Sequence, residues 1–201
     1  MRLSTQGREL IKAFEGLSLT AYRDADGYSI GYGHYGAKAG DVISRSEADR
    51  LFDQDVRKYE DGVSRFVATA TQPQFDAMVS LAYNIGVGDS DSGFGGSTVA
   101  RKHNAGDYAG AADAFLMWIK SQGNVLPVLV KRREKERTVY LRGHGASSGA
   151  VPPPSSAPSL PAPAAPPSSG PPPMLIAGVG LVFFCPFCFR ASDAVKLKPK
   201  P

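Results

Sequence analysis

Two carboxyl groups near the start of the chain stand in contrasting surroundings. Glu15 comes at the end of an apolar helical stretch beside Phe14 and Leu17, where loss of hydration raises a carboxyl pKa and suits the group to general-acid work. Asp24 follows nine residues later, at a predicted turn whose polar setting favours the ionised form. Glycoside hydrolysis needs such a pair, one carboxyl to protonate the leaving oxygen and one carboxylate to assist water or the sugar cation. Spacing alone leaves a second interpretation open, in which Glu15 is a solvated helix-end residue and Asp24 merely forms a turn.

Local signals predict the elements that hold these two residues. Apolar residues at helical spacing before Glu15 predict a helix that Ser4 or Thr5 caps and Gly16 ends. Asp24 to Gly27, flanked by aromatic and apolar residues, predicts a β-hairpin.

The remainder of the first 143 residues is dominated by helix signals. Capping pairs, a leading proline and terminal glycines predict a series of amphipathic helices. Ser44 with Glu47 starts the first of these helices, and Thr71 with Gln74 starts the second, which ends near Gly86. Asp107 caps a helix predicted to run to Lys120, and Pro127 starts a last helix that runs to about Leu141. We therefore predict a mostly helical α+β domain over residues 1–143, with one small sheet near its start.

Several motifs, in order along residues 1–143, resemble the phage-type lysozymes, the endolysins of glycoside hydrolase family 24. The resemblance implies a lysozyme-like fold with a small N-terminal sheet lobe and a helical lobe, and muramidase activity on peptidoglycan. The motifs are Phe14-Glu15-Gly16-Leu17, Ala21-Tyr22-Arg23-Asp24, Gly27 to His34, Gln72 to Ala77, Tyr83 to Gly88, Asn104 to Tyr108, Leu126-Pro127 and Lys131 to Glu134.

The family pattern is a Glu, an Asp nine positions later and a Thr six positions after the Asp. The resemblance implies that Glu15 is the general acid and that Asp24 supports the attacking water or the positive sugar. The third position departs from the pattern, because Ile30 stands there and the nearest hydroxyl belongs to Ser29. Ser29 retains a donor and an acceptor that could orient water, so we assign it that role. A second departure, Val128 in place of a frequent Gly, concerns only the start of the last helix.

Supporting roles are implied for residues around this centre. His34, characteristic of the family, is expected to form structural hydrogen bonds rather than to transfer protons. Asn84, near a helix end, is expected to shape the cleft between the lobes. Arg132 or Arg133 is expected to pair with Glu15, although each could equally be an ordinary solvated charge. We predict no metal site and no cofactor, because the histidines lack partner ligands at suitable spacing.

Composition changes abruptly after residue 143. Eleven of the 16 prolines lie in 152–173, and residues 144–173 are predicted to be an unfolded Pro/Ser/Ala-rich linker. Residues 174–189 are uncharged and strongly apolar, and residues 190–201 form a basic tail. A 16-residue helix reaches about 24 Å against a hydrocarbon core of about 30 Å. Spanning a membrane, inserting at its interface and contacting an anionic envelope therefore remain alternatives for 174–189. Cys185 and Cys188 supply at most half a zinc site.

The charge pattern argues against nucleic acid as a partner. The net charge is +4, but residues 1–143 carry 19 basic and 18 acidic groups, so most of the excess lies beyond them. We expect a monomer that acts on peptidoglycan. The first residues contain no apolar run, so we expect no signal peptide, synthesis in the host cytoplasm and action in the periplasm or cell wall. Two alternatives are a lytic transglycosylase, against which Asp24 argues, and a wall-binding module that has lost catalysis.

Overall fold

The structure, a computed structural model, describes residues 1–24 and 27–143. This part of the chain contains six α-helices, one 3-10 turn and five short strands. In chain order they are α1 (Thr5–Glu15), β1 (Ser18–Asp24), β2 (Gly27–Gly31), β3 (His34–Tyr35), α2 (Arg45–Phe66), α3 (Gln72–Ile85), α4 (Thr98–Asn104), α5 (Tyr108–Ala114), the 3-10 turn (Phe115–Met117), β4 (Lys120–Ser121), β5 (Asn124–Val125) and α6 (Pro127–Arg142). The predicted class, a mostly helical α+β fold, is confirmed. The predictions for 144–173, 174–189 and 190–201 concern residues outside the described part.

The predicted hairpin is present at the start of the chain. Strands β1, β2 and β3 form an antiparallel sheet in that order, and the first pair closes with Asp24 opposite Gly27. The middle of the predicted turn, residues 25 and 26, lies outside the described residues. An irregularity in β1 between Ser18 and Tyr22 shifts the register so that Tyr22 faces Ser29. This register brings position 29 close to the end of β1.

Helix ends follow the predicted capping residues. The Ser4 side chain accepts a hydrogen bond from the Gly7 amide at the start of α1, which ends at Gly16 with φ +71°. Ser44 caps α2 by accepting from Glu47, and Thr71 with Gln74 forms a capping box on α3. These short-range interactions satisfy amide groups that a helix start would otherwise leave without partners.

Helix α3 is the centre of the helical lobe. Nine consecutive residues, 74–82, are buried, because α3 packs against α1, α2 and α6 on different sides. The long helix α2 leaves the sheet and runs into this lobe. Its Phe52 contacts Tyr32, which follows β2, and Tyr83 of α3, with ring centroids 5.6 and 6.0 Å apart. Sheet and helices therefore share one apolar junction.

The segment after α5 differs from the prediction. The helix predicted from Asp107 to Lys120 ends at Ala114, and the chain tightens into a 3-10 turn before Lys120 pairs with Val125 in a second sheet. The prediction of a single sheet is therefore wrong. Gln122 and Gly123 have positive φ values of 49° and 82°, the conformation that a two-residue hairpin requires.

None of the helices in residues 1–24 and 27–143 combines the length and the apolar character needed to cross a bilayer.

Candidate active site

Glu15 is the last residue of α1, and its side chain is almost fully buried. Only 6% of the side chain is exposed, and the Nη1 atom of Arg132 donates a hydrogen bond to its Oε1 atom at 2.8 Å. The guanidinium of Arg132 also lies 4.9 Å from the ring centre of Phe14. Burial raises the pKa of Glu15 above its ordinary value of 4.5, and the opposing charge and hydrogen bond of Arg132 offset this only in part. The carboxyl is thus held in a setting that favours the protonated form.

Arg132 is itself fixed by buried partners. Its Nε atom donates to Oε1 of Glu136 at 3.1 Å, and its Nη2 atom donates to the Ser80 carbonyl at 3.2 Å. Although burial acts to lower it, the charges of Glu15 and Glu136 raise the pKa of Arg132. Of the two arginines that the sequence offered as partners for Glu15, Arg132 is the one in contact.

Arg133 contacts the other side of Glu136. It donates to Oε2 of Glu136, to the side-chain oxygen of Asn84 and, at 3.1 Å, to the Trp118 carbonyl. The Ser80 hydroxyl donates to Oε1 of Glu136 at 2.6 Å. Every buried side-chain nitrogen and oxygen in residues 1–24 and 27–143 has a partner, so this network is fully satisfied there.

Asn84, partly buried near the end of α3, is therefore joined to this network through Arg133. The sequence motifs do not predict that Glu136 and Ser80 take part in this network, nor that Arg133 contacts Glu136. The available signal was the spacing of 132, 133 and 136, which places two arginines three and four residues before a glutamate on one helix.

Asp24 is joined to Ser29 across the hairpin. The Ser29 hydroxyl donates to Oδ2 of Asp24 at 2.7 Å, and Ser29 is completely buried. Asp24 itself is half-buried at the end of β1. The hydroxyl at position 29 therefore orients one carboxylate oxygen of Asp24 directly.

His34 connects the sheet to the long helix. Its Nδ1 atom lies 2.8 Å from Oδ2 of Asp55 on α2, with both side chains partly exposed. This contact ties β3 to α2 near the junction of the lobes.

The described residues contain no group of three or more His, Cys, Asp or Glu side chains arranged to hold a metal ion. Cys185, Cys188 and His144 lie outside those residues.

The small antiparallel sheet, the long connecting helix, the helical lobe and the buried glutamate at the end of α1 define a lysozyme fold. A family model described as phage lysozyme matches residues 12–136. This chain belongs to the phage lysozyme family.

Individual relatives are similar over the same region. The endolysin of Bacillus phage B103 is 46% identical over 149 residues, which cover 71% of this chain and 55% of that relative. The endolysin of Salmonella phage P22 is 38% identical over 149 residues, covering 70% of this chain and 99% of the relative. The chain thus spans about half the length of the first relative and nearly all of the second.

Among solved structures, the muramidase domain of SpmX from Asticaccaulis excentricus superposes with a TM-score of 0.64 at 39% identity. The match covers 70% of this chain and 97% of that domain.

Proposed function

We propose that this protein is a muramidase that hydrolyses the β-1,4 bond between N-acetylmuramic acid and N-acetylglucosamine in peptidoglycan. The observation that carries the proposal is the buried Glu15, whose carboxyl is pushed toward its protonated form while Arg132 fixes one of its oxygens. The names of the relatives, endolysins and a muramidase domain, support the same substrate. We further propose that it acts at the bacterial cell wall, as an endolysin.

The two carboxyl groups take different parts in the reaction. Glu15 donates its proton to the glycosidic oxygen as the bond to the sugar carbon breaks, so the leaving sugar departs neutral. The Asp24 carboxylate supports the attacking water or the positive charge on the sugar ring. Ser29 acts through Asp24 by donating to Oδ2, and in this scheme the other oxygen, Oδ1, interacts with water or sugar. Ser29 is thus a positioning residue in this scheme.

Digestion of purified sacculi followed by mass spectrometry of the soluble muropeptides tests the proposal. Hydrolysis consumes one water for each bond cleaved, whereas a lytic transglycosylase cleaves the bond without water and forms an anhydromuramic product that is lighter by one water. We expect the hydrolytic products. Anhydro products would favour the transglycosylase, and tight binding to sacculi without turnover would favour a wall-binding module.

The matched variants are Glu15→Gln and Glu9→Gln. Both remove a carboxylate from α1, but Glu9 is exposed. We expect Glu15→Gln to reduce the rate by about 100- to 10,000-fold while retaining the fold, and Glu9→Gln to behave as the wild type. Full activity of Glu15→Gln would refute the assignment of the general acid.

A further inference from the structure

Glu136 lies at the centre of a buried group of four charges. Its two oxygens contact both arginines, Oε1 facing Arg132 and Oε2 facing Arg133, and its side chain is completely buried. Arg132 in turn contacts Glu15. The order of charges through the network is therefore Glu15, Arg132, Glu136, Arg133.

This order gives Arg132 two carboxylates to share. If Glu136 were absent, Glu15 would be the single carboxylate beside two buried guanidinium groups, and its ionised form would be strongly favoured. An ionised Glu15 has no proton to donate. Proton donation by Glu15 therefore requires a second negative group that compensates part of the positive charge of the two arginines.

We propose that Glu136 is a positioning residue that keeps Glu15 in its acid form, by compensating the charges of Arg132 and Arg133. The inference rests on the proposed function of Glu15 as general acid. Glu136 touches neither substrate nor reacting atoms in this scheme, since it acts through Arg132.

The electrostatics around Glu15 agree with this geometry. Burial is the largest cause of its raised pKa, Arg132 opposes burial, and the charge of Glu136 raises the pKa further while that of Arg133 lowers it. The partners that α3 and the residue after the 3-10 turn contribute to the arginines and to Glu136 are uncharged: the Ser80 hydroxyl and carbonyl, the Asn84 amide and the Trp118 carbonyl. Besides burial, the charges of Arg132, Glu136 and Arg133, all on α6, thus influence the titration of Glu15.

Two variants should shift the titration of Glu15 in opposite directions. Glu136→Gln removes the compensating charge, so we expect the pKa of Glu15 to fall by about one unit or more. Arg133→Gln removes a positive charge and leaves Glu136 free to compensate Arg132, so the pKa of Glu15 should rise. Glu134→Gln is the control, because Glu134 is an exposed carboxylate on the same helix.

Two measurements on the full chain test these shifts. Carbon-13 NMR titration of the Glu15 carboxyl reports its pKa without reference to activity. The pH dependence of kcat/KM on soluble peptidoglycan fragments reports the same group, since activity is lost as pH rises through the pKa of the acid. We expect the alkaline limb of the pH profile of kcat/KM to move to lower pH in Glu136→Gln and to higher pH in Arg133→Gln. It should not move in Glu134→Gln.

A merely structural role for Glu136 would lower activity equally at every pH and leave the limb in place, which would overturn the inference. If Glu136→Gln does not fold, Arg133→Gln decides: a Glu15 pKa unchanged or lowered in that variant would overturn the inference. Failure of the proposed function is distinguishable, because the wild type would then release anhydro products or no muropeptides, whatever the NMR titration of Glu15 showed.

Discussion

At the scale of single residues, Glu15 is subject to two opposing influences. Burial favours its neutral form, and Arg132 at 2.8 Å favours its ionised form. Because burial prevails, the folded protein holds the proton of Glu15 more tightly than the unfolded chain does. This residue therefore links catalysis to stability.

The pH dependence of stability follows from that link. A glutamate with a raised pKa contributes stability below its unfolded value, 4.5, and loses that contribution as pH rises through the folded value. Glutamine has no charge to bury. We expect the Glu15→Gln variant to become more stable relative to the wild type as pH rises from about 4 toward neutrality. The difference in unfolding free energy should grow by about 1.4 kcal/mol for each unit by which folding raises the pKa of Glu15. Urea denaturation at a series of pH values measures this, and parallel stability curves would contradict it.

Ser29 offers a second test at this scale. Ser29→Ala removes the hydrogen bond to Asp24, and a bond to a charged group is worth about 1.5–3 kcal/mol, so kcat should fall about 10- to 100-fold with little change in KM. Ser18→Ala is the control, because the Ser18 hydroxyl, on the same strand as Asp24, donates to the Thr20 carbonyl. Equal kinetics for wild type and Ser29→Ala would show that position 29 does not assist Asp24.

At the scale of elements, the position of Glu15 depends on how closely α1 approaches α3. The two helices meet at Gly7, where a Cβ atom would lie 2.6 Å from Cγ of Asp76 and 2.8 Å from Cδ2 of Leu3. Asp76 cannot easily move, because it accepts hydrogen bonds from the amide and hydroxyl of Ser4 and from Gln72. A small residue at position 7 is thus a packing requirement.

The Gly7→Ala variant tests whether packing or helix propensity has the larger effect on stability at this position. Alanine favours a helix by about 1 kcal/mol over glycine, but forced packing costs about 1–3 kcal/mol. We expect net destabilisation in urea denaturation and reduced activity, since α1 carries Glu15. Gln6→Ala, at an exposed neighbouring position, should change stability by less than about 0.5 kcal/mol. A stabilised Gly7→Ala variant would show that the contact with α3 is looser than described.

At the scale of the whole molecule, the residues of the proposed active site all lie within the family-matched region. The matched region is 12–136, and the charged network ends at Glu136. The α3–α6 contact, which joins Ser80 and Asn84 to the two arginines, lies in the same part of the chain. Nothing in this arrangement requires residues beyond the end of α6.

Truncation after residue 143 tests that independence. We expect residues 1–143 to digest purified sacculi as fast as the full chain, because the lysozyme fold is complete there. The apolar run 174–189 should matter only when intact membranes are present. Circular dichroism serves as the folding control for the shortened chain. A shortened chain that is folded but inactive on purified sacculi would assign the tail a part in catalysis.

Local signals were enough to predict much of this fold. Ser4 and Gly16, Ser44, Thr71 with Gln74, and Pro127 mark helix ends in the structure as the sequence predicts. Each acts through hydrogen bonds or backbone constraints within a few residues, so its effect is encoded in a short stretch. The same locality explains why the hairpin from Asp24 to Gly27 was predictable.

The second sheet was missed because its signal is weaker than the helical pattern before it. Phe115 is buried and extends the apolar periodicity of α5, whereas Gln122 and Gly123 reverse the chain only through their positive φ angles. A two-residue Gln-Gly turn is a less common hairpin signal than Asn-Gly or Asp-Gly. In the structure, α6 packs against both α5 and the 3-10 turn that follows it.

The fold class, most helix ends and the identity of the two candidate carboxyl groups are predictable from the sequence, because these depend on residue type and short spacing. Tertiary packing was needed to show that Arg132 rather than Arg133 contacts Glu15, that Asn84 contacts Arg133, and that Glu136 lies between the arginines. Glu15 and Arg132 are 117 positions apart, and no local pattern fixes the approach of such distant groups. Their meeting follows from the packing of both α1 and α6 against α3, and burial there makes each charge dependent on the others.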